Sequence, residues 1–404
     1  MDDLLSEPAT HLGSERPCED PPRGARIAVA ILFFMNGALV ASWVSRIPAV
    51  QQAHRLSHSM LGWLLLEVAL GALIAMPLSG WCASRFGSRV TSQVTAILFC
   101  SSVPWLAAAP SPLLLGIALF LFGAFSGALD VAMNAQAVAV EIRYQRPIMS
   151  SFHALFSLGG LAGASAGAFA AAAQVRPFAH FTAATALLGG ITIGLALPQL
   201  LLTSEAVQHQ TAPAPATSNR RFIRPPAALL ALGAVAFCVM LGEGAMADWS
   251  AIFLKNVALS PESVAAMGYG AFSIAMALGR IFGDSLTARL GPVTLVRGGS
   301  IVAAAGVALA ILWPRPLIVL AGFAAVGAGL ATIVPLIFSA AGRTHGMAAG
   351  PALAITTTLG YTGFLVGPPL IGVAADHIGL RSALGFLIVA AAVGLALAPS
   401  LRKV

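Results

Sequence analysis

"LLLGIALFLFGAFSGALDVAMNAQAVAV", residues 113–140, is an apolar run long enough to cross a membrane as one helix. A helix needs roughly 20 residues to span the hydrocarbon core of a bilayer. A transmembrane β-barrel would instead show segments of about ten residues with alternating polarity. The run therefore predicts an α-helical membrane protein, and further runs of the same kind are expected along the chain.

Twelve such runs occur along the chain. They cover residues 27–46, 60–82, 90–109, 113–140, 148–173, 179–202, 227–254, 263–287, 293–313, 316–340, 350–374 and 382–400. The sequence thus predicts an all-α integral membrane protein with twelve transmembrane helices.

Composition excludes several classes of protein. Hydrophobic residues make up 58% of the 404 residues and charged residues 9%, whereas soluble proteins carry about 25% charged residues. The net charge of +7 comes from scattered arginines and forms no basic face for nucleic acid. There is no phosphate-binding GxxxxGK[ST] and no metal-ligand spacing. We expect a lipid bilayer as the surroundings, no enzyme activity, no cofactor, no metal and no nucleic-acid partner.

The stretch "TSEAVQHQTAPAPATSNRRFIRPP", residues 203–226, divides the apolar runs six and six. Its composition is typical of a flexible linker. "NGALVASW" (36–43) resembles "EGAMADW" (243–249) across this linker, which indicates a duplicated unit. The predicted division is a disordered cytoplasmic tail, a six-helix bundle, a cytoplasmic linker, a second six-helix bundle and a short cytoplasmic tail: 1–25, 26–202, 203–226, 227–400 and 401–404. Loop arginines lie mostly on one side, which predicts that both termini are cytoplasmic.

The loop after the second run, "GWCASRFGSR" (80–89), resembles the signature loop of the major facilitator superfamily. Gly80, Arg85, Gly87 and Arg89 fit that signature, while Ser84 replaces the usual Asp. A closer copy, "GVAADHIGLR" (372–381), contains Asp376 and ends the eleventh run. The resemblance implies two pseudo-symmetric six-helix bundles that rock against one another.

Three other segments resemble a narrower subgroup of bacterial inner-membrane proteins, which contains MosC and YbjJ. They are "DVAMNAQAVAVE" (130–141), "RPIMSSFHALFSLGGLAGA" (146–164) and "EGAMADWSAIFL" (243–254). The resemblance implies a multi-pass protein of the bacterial inner membrane, functional as a monomer.

Acidic residues inside the predicted helices are candidates for proton coupling. An acidic residue near a helix centre costs about 2.5–3.5 kcal/mol on insertion scales, so it usually faces the bundle interior or a water-filled path. Asp130 and Asn134 lie four residues apart on one helix face, with Glu141 close to the same stripe. This predicts a polar track towards a central cavity. The alternative is that Asp130 is a structural partner for an arginine or for backbone groups.

Three more residues are predicted to take part in coupling. Glu243 lies between Gly242 and Gly244, where a transporter helix is expected to loosen near its site. Glu67 could instead hold the first pair of helices together. His153 could titrate near neutral pH, although a lone histidine on a helix is more often a packing residue.

Gating is predicted for a charged group at the cytoplasmic end of the eighth run. Arg280 and Asp284 lie four residues apart and are followed by Arg289. The resemblance implies a charge relay that breaks and re-forms between conformations without touching the ligand.

The predicted substrate cavity combines amide, hydroxyl and aromatic side chains on helices that line the cavity in this superfamily: Asn36, Asn134, Tyr269, Thr357, Tyr361, Trp43 and Trp249. Such a mixture suits a polar solute that bears hydroxyl groups. For the two tryptophans, the alternative of interfacial anchors is slightly favoured.

The sequence therefore predicts a secondary transporter that moves a sugar, polyol or related metabolite, coupled to protons. Efflux of a metabolite or drug is a second interpretation. A transporter-like membrane sensor or scaffold that moves nothing is a third.

Overall fold

The computed structural model describes residues 22–145, 148–202, 225–341, 343, 344, 347 and 349–402. Within these residues, twelve helices are long and apolar enough to cross a membrane, and no residue lies in a β-strand. The predicted all-α fold with twelve spans is confirmed. The predicted N-terminal tail and central linker lie almost entirely outside the described residues.

The helices are numbered α1 to α12 in chain order. Their bounds are Arg23–Ala53, His58–Phe86, Ser88–Ala108, Pro112–Tyr144, Met149–Ala172, Pro177–Gln199, Ala227–Asn256, Glu262–Ala265 continued by Gly268–Leu290, Pro292–Leu312, Pro316–Ala341, Ala349–Ile378 and Leu380–Arg402. Several extend beyond the predicted runs, most clearly α1, which begins before residue 27 and ends after residue 46. Hydropathy marks the part within the hydrocarbon core, and a helix can continue past it.

Proline accounts for irregular turns in two helices. Helix α10 consists of Pro316–Leu330 and Ile333–Ala341, separated by Ala331 and Thr332. Pro335 cannot donate a backbone hydrogen bond, and its ring clashes with the carbonyl of the residue four positions earlier, which is Ala331. In α6, Pro198 follows a π-helical turn over Thr192–Ala196 for the same reason.

Glycines with positive φ lie at three of the connections between helices. Gly87, between α2 and α3, has φ of 87°, and Gly291 and Gly379 have φ of 76° and 79°. This left-handed region is readily adopted only by glycine. The α2–α3 and α8–α9 connections, which occupy equivalent places in the two halves, therefore turn in the same way, and this agrees with the duplication seen in the sequence.

Glycines also bring two pairs of helices into close contact. In the first half, Gly159 and Gly163 of α5 lie against backbone atoms of α1. In the second half, Gly363 of α11 lies against the backbone of α7. A Cβ at any of these positions would overlap a carbonyl oxygen, so small residues set the helix separation.

The two halves meet mainly along α2 with α11 and α5 with α8. We call the end of the bundle that contains residues 54–57, between α1 and α2, the outer end, following the predicted orientation. Contacts between the halves and the space that they enclose form the candidate site.

Candidate functional site: a cavity between the two halves

A cavity of about 220 Å³ lies between the halves. Helices α1, α2 and α4 supply one wall, and α7 and α11 supply the other. Its walls include Trp43, Leu65, Phe122, Asp248, Tyr361 and Phe364. Residues from both halves therefore enclose one largely apolar space that contains a single carboxylate among its described walls.

Asp130 and Asn134 lie together on α4, as the spacing predicts. Asn134 Nδ2 donates to the Asp130 backbone oxygen at 2.8 Å and to Asp130 Oδ1 at 3.3 Å. The Asp130 carboxylate also interacts electrostatically with the hydroxyl of Tyr361, across the interface on α11. Asp130 is therefore half-buried with an amide partner, close to a residue of the opposite half.

Glu243 is paired with Arg280. Arg280 Nη2 lies 3.6 Å from Glu243 Oε1, and the two side chains are 30% and 21% exposed. Arg280 also interacts electrostatically with His153 of the other half and with Tyr269. The two opposite charges of this pair therefore lie beside the interface between α5 and α8.

The predicted relay around Arg280 is only partly described. The side chain of Asp284 lies outside the described residues, and Arg289 is exposed at the end of α8. The partner that the structure gives Arg280 is Glu243, a residue that the sequence predicts for proton coupling and not for gating. Participation of Asp284 in gating stays a prediction.

Both tryptophan candidates are buried inside the protein. Trp43 is 3% exposed and Trp249 is 0% exposed. An interfacial anchor must reach the lipid headgroups, so that alternative is wrong for these two residues. Trp43 lines the cavity, whereas Trp249 packs beside His58, with ring centroids 6.3 Å apart.

Asn36 makes its side-chain contacts with residues of the first half. Its Nδ2 lies 3.9 Å from Met133 Sδ, and its Oδ1 accepts from Ser126 Oγ at 3.3 Å. The side chain is buried between α1 and α4, where its hydrogen bonds stabilise helix packing. Thr357 is half-buried on α11, on the other side of the interface.

None of the four coupling candidates is among the residues that line the cavity, and Glu67 and His153 have surroundings of their own. Glu67 lines a separate groove between α2 and α4, beside Met60 and Leu113. His153 packs edge-on against Phe33, with ring centroids 5.2 Å apart. The arrangement agrees better with the packing alternative for His153, and it places Glu67 at the contact between two helices of the first half.

Asp376 joins the two halves at the outer end. The backbone N–H groups of His58 and Ser59, in the first turn of α2, donate to its carboxylate oxygens at 3.0 and 2.8 Å. His58 Nδ1 lies 3.2 Å from Asp376 Oδ1. A carboxylate at the N-terminus of a helix binds its free N–H groups and interacts favourably with the helix dipole.

A second ion pair crosses the interface at the same end. Arg46 Nη2 of α1 lies 3.4 Å from Glu262 Oε1 at the start of α8, and it also donates to the Val175 backbone oxygen at 2.8 Å. Among the described residues, both ion pairs between the halves lie at the outer end.

The sequence model described as Major Facilitator Superfamily matches residues 27–368. The chain belongs to this superfamily. It is similar to an MFS-type transporter of Yersinia pestis, with 35% identity over 90% of this chain and 92% of that protein. It is also similar to membrane protein MosC of Rhizobium meliloti, with 37% identity over 89% and 86% of the two chains. These relatives confirm the predicted resemblance.

Solved structures of the superfamily share the fold. A structure of a point mutant of the nucleoside transporter NupG superposes with a TM-score of 0.75 at 12% identity, covering 94% of this chain and 99% of that one. A bacterial homolog of the human lysosomal transporter Spinster, inward-facing and occupied, gives 0.72 at 14% identity, covering 96% and 98%. The protein is a multi-pass membrane transporter of a small molecule, and not an enzyme.

The superfamily's signature loop is structural in part. Gly87 provides the left-handed turn, and Arg89 Nη2 donates to the Pro198 backbone oxygen at 3.1 Å, which fastens α3 to the end of α6. Arg85 is exposed. Gly80 has only an ordinary contact with Val131.

The proposed extension of the polar track to Glu141 is wrong. Glu141 Oε2 accepts from the backbone N–H groups of Ile148 and Met149, at 2.7 and 2.8 Å. It therefore caps the N-terminus of α5. The first N–H groups of a helix need acceptors from outside the helix. The predicted start of the fifth helix soon after Glu141 was therefore the signal in the sequence that could have indicated this role.

Asp248 was missed as a site residue. It lies on α7 and is the carboxylate in the cavity wall. The rule that selected Asp130, namely that an intramembrane acid faces a cavity or a partner, applies equally to Asp248. The segment "EGAMADW" contains this second acid besides Glu243, and its place inside an apolar run was the signal in the sequence that indicated Asp248.

Proposed function

We propose that this superfamily member is a proton-coupled secondary transporter that moves a small polar organic solute, such as a sugar, polyol or related metabolite, by alternating access. The observation that carries the proposal is a cavity whose two walls come from different halves. Relative movement of the halves would expose such a cavity first to one side of the membrane and then to the other. The proposed setting is the bacterial inner membrane, with both termini in the cytoplasm and the monomer as the working unit.

The contacts at the outer end support an alternating-access cycle. The Asp376 carboxylate holds the first turn of α2, and Arg46 binds Glu262. Each contact joins a residue of one half to a residue of the other. Breaking them would let the halves separate at this end.

Proton coupling is proposed for Asp130, with Glu243 as the second candidate. Asp130 belongs to the first half and interacts electrostatically with Tyr361 of the second half. A change in its charge would therefore alter the interaction between the halves. A group whose charge changes on protonation can bias the two conformations if it has different neighbours in each. Glu243 has a charge partner in Arg280, which makes its loss of charge more costly.

Uptake into proteoliposomes tests the proposal. The purified protein is reconstituted, an inward proton gradient is imposed, and a library of labelled metabolites is screened for accumulation. We expect at least one sugar, polyol or related metabolite to accumulate above equilibrium, and a protonophore to abolish this.

Protein-free vesicles and vesicles with an inactive superfamily transporter serve as controls. Accumulation of a metabolite only when the proton gradient points outward would favour efflux. Binding of a metabolite without any transport in either direction would favour a sensor and contradict the proposal.

A further inference from the structure

Asp248 lacks a charge partner among the described residues. Its carboxylate lines the cavity between the halves, and no hydrogen bond or ion pair joins it to another described side chain. The other two acids near the interface differ, because Asp130 has Asn134 and Glu243 has Arg280. An ionisable group within a membrane is costly and is usually kept for a functional partner.

Aromatic side chains surround the same space. Trp43 of α1, Phe122 of α4, and Tyr361 and Phe364 of α11 all line the cavity with Asp248. The face of an aromatic ring attracts a cation, and more strongly where water is excluded. A carboxylate beside several rings is the arrangement that binds organic ammonium groups.

The charge balance of the cavity points in the same direction. No lysine or arginine occurs among the described residues that line it. Arg280, which lies outside these walls, is opposed by Glu243. The described walls therefore contain one carboxyl group and no basic side chain, which disfavours an anionic solute and suits a cationic one.

We infer that Asp248 and the aromatic walls form a subsite for an organic ammonium group, so that the transported solute carries a protonated or quaternary amine. This inference rests on the proposed transport function and names the substrate class more closely. The volume of about 220 Å³ lies below the roughly 300–1,000 Å³ of pockets for drug-sized ligands. The solute is therefore small, such as an amino sugar, an amino polyol or a choline-like molecule.

Heat stabilisation of the purified full-length protein in detergent tests the subsite. Choline is compared with 3,3-dimethylbutan-1-ol, which has the same shape without the charge, and glucosamine is compared with glucose. We expect at least one of the two cations to raise the unfolding temperature in a saturable manner, and its neutral counterpart to have no such effect.

Variants assign the effect to Asp248. Asp248→Asn removes the carboxylate that attracts the cation, so it should weaken the apparent affinity for the cation about tenfold or more. Asp248→Glu should keep part of the binding. Glu205→Gln, which removes one carboxylate from the predicted linker, is the control and should bind as the original protein does. Trp43→Leu provides a second test if Asp248→Asn does not fold, with weaker cation binding expected.

The inference is overturned if the neutral molecules stabilise the protein as much as the cations, if no cation stabilises it, or if Asp248→Asn binds the cation unchanged. These measurements need neither vesicles nor a gradient. Cation binding without any transport would therefore contradict the proposed function alone. Uphill transport of a neutral sugar without cation binding would contradict this inference alone.

Discussion

Glu243 and Arg280 place two opposite charges beside the interface, 3.6 Å apart. At the scale of single residues, each charge is stabilised chiefly by the other, because the surrounding helices are apolar. Removing one partner of a fully buried pair costs roughly 3–5 kcal/mol. The cost here should be smaller, since both side chains retain some exposure.

Arg280→Gln should therefore lower the unfolding temperature of the purified protein, because it leaves the Glu243 carboxylate without its partner. The double variant Glu243→Gln with Arg280→Gln should recover most of the loss, since two neutral amides can bind one another. Thermal unfolding in detergent measures both. Arg289→Gln, at an exposed position of the same helix, is the control. Equal losses in the single and double variants would show that the pair is not coupled.

Sequence reasoning at this scale found which residues are unusual, but not their partners. Asp130 and Asn134 share a helix face, so four-residue spacing was sufficient to pair them. Asp376 pairs with the start of α2, 318 positions earlier in the chain. Spacing within one helix contains no information on which helix of the other half lies opposite, so this partner could not be predicted.

Glycine decides the geometry at the scale of helices. Gly163 lies directly against the backbone of Ala38, in α1, whereas Gly190 of α6 has no neighbour within 4 Å of a Cβ built on it. Both glycines lie inside apolar helices, so the sequence does not distinguish them. The existence and order of the twelve helices followed from apolar length alone, but the contacts between them depend on such positions.

Gly163→Leu should destabilise the protein severely, because its side chain would overlap the backbone of α1 and force α1 and α5 apart. Gly190→Leu should be tolerated, since its side chain enters open space on the outside of α6. The yield of monodisperse protein after detergent extraction, with its unfolding temperature, compares the two. Similar yields for both would mean that the α1–α5 contact does not limit folding.

At the scale of the whole molecule, few polar contacts join the halves at the outer end. Asp376 provides three of the described hydrogen bonds there, counting both backbone donors and the His58 ring. Close approach of α2 and α11 also depends on Gly62 and Gly372, each of which lies against the opposite helix. The outer end is therefore held by one carboxylate together with small-residue packing.

Asp376→Ala should shift the population towards conformations that are open at the outer end, because it removes the contacts to α2 without affecting the cavity. The reporter is Val40→Cys, on the cavity wall, in a protein whose native cysteines are replaced by serine. A membrane-impermeant maleimide added outside should label it several times faster in the Asp376→Ala protein.

His377→Ala is the matched control, because His377 is the next residue of α11 and is exposed. Its labelling rate should equal that of the protein with Asp376 and His377 intact. An unchanged labelling rate in the Asp376→Ala protein would show that Asp376 does not hold the outer end closed.

The central claim is that a proton on Asp130 drives solute movement between the halves. Asp130→Asn resembles the protonated residue permanently, so it should abolish accumulation driven by a pH gradient. It should leave exchange of labelled for unlabelled solute intact, since exchange needs no net proton movement. The most direct measurement is uphill accumulation and exchange in the same proteoliposomes, with the solute found in the library screen. We expect accumulation to be lost and exchange to survive, whereas pH-driven accumulation retained by Asp130→Asn would contradict the claim.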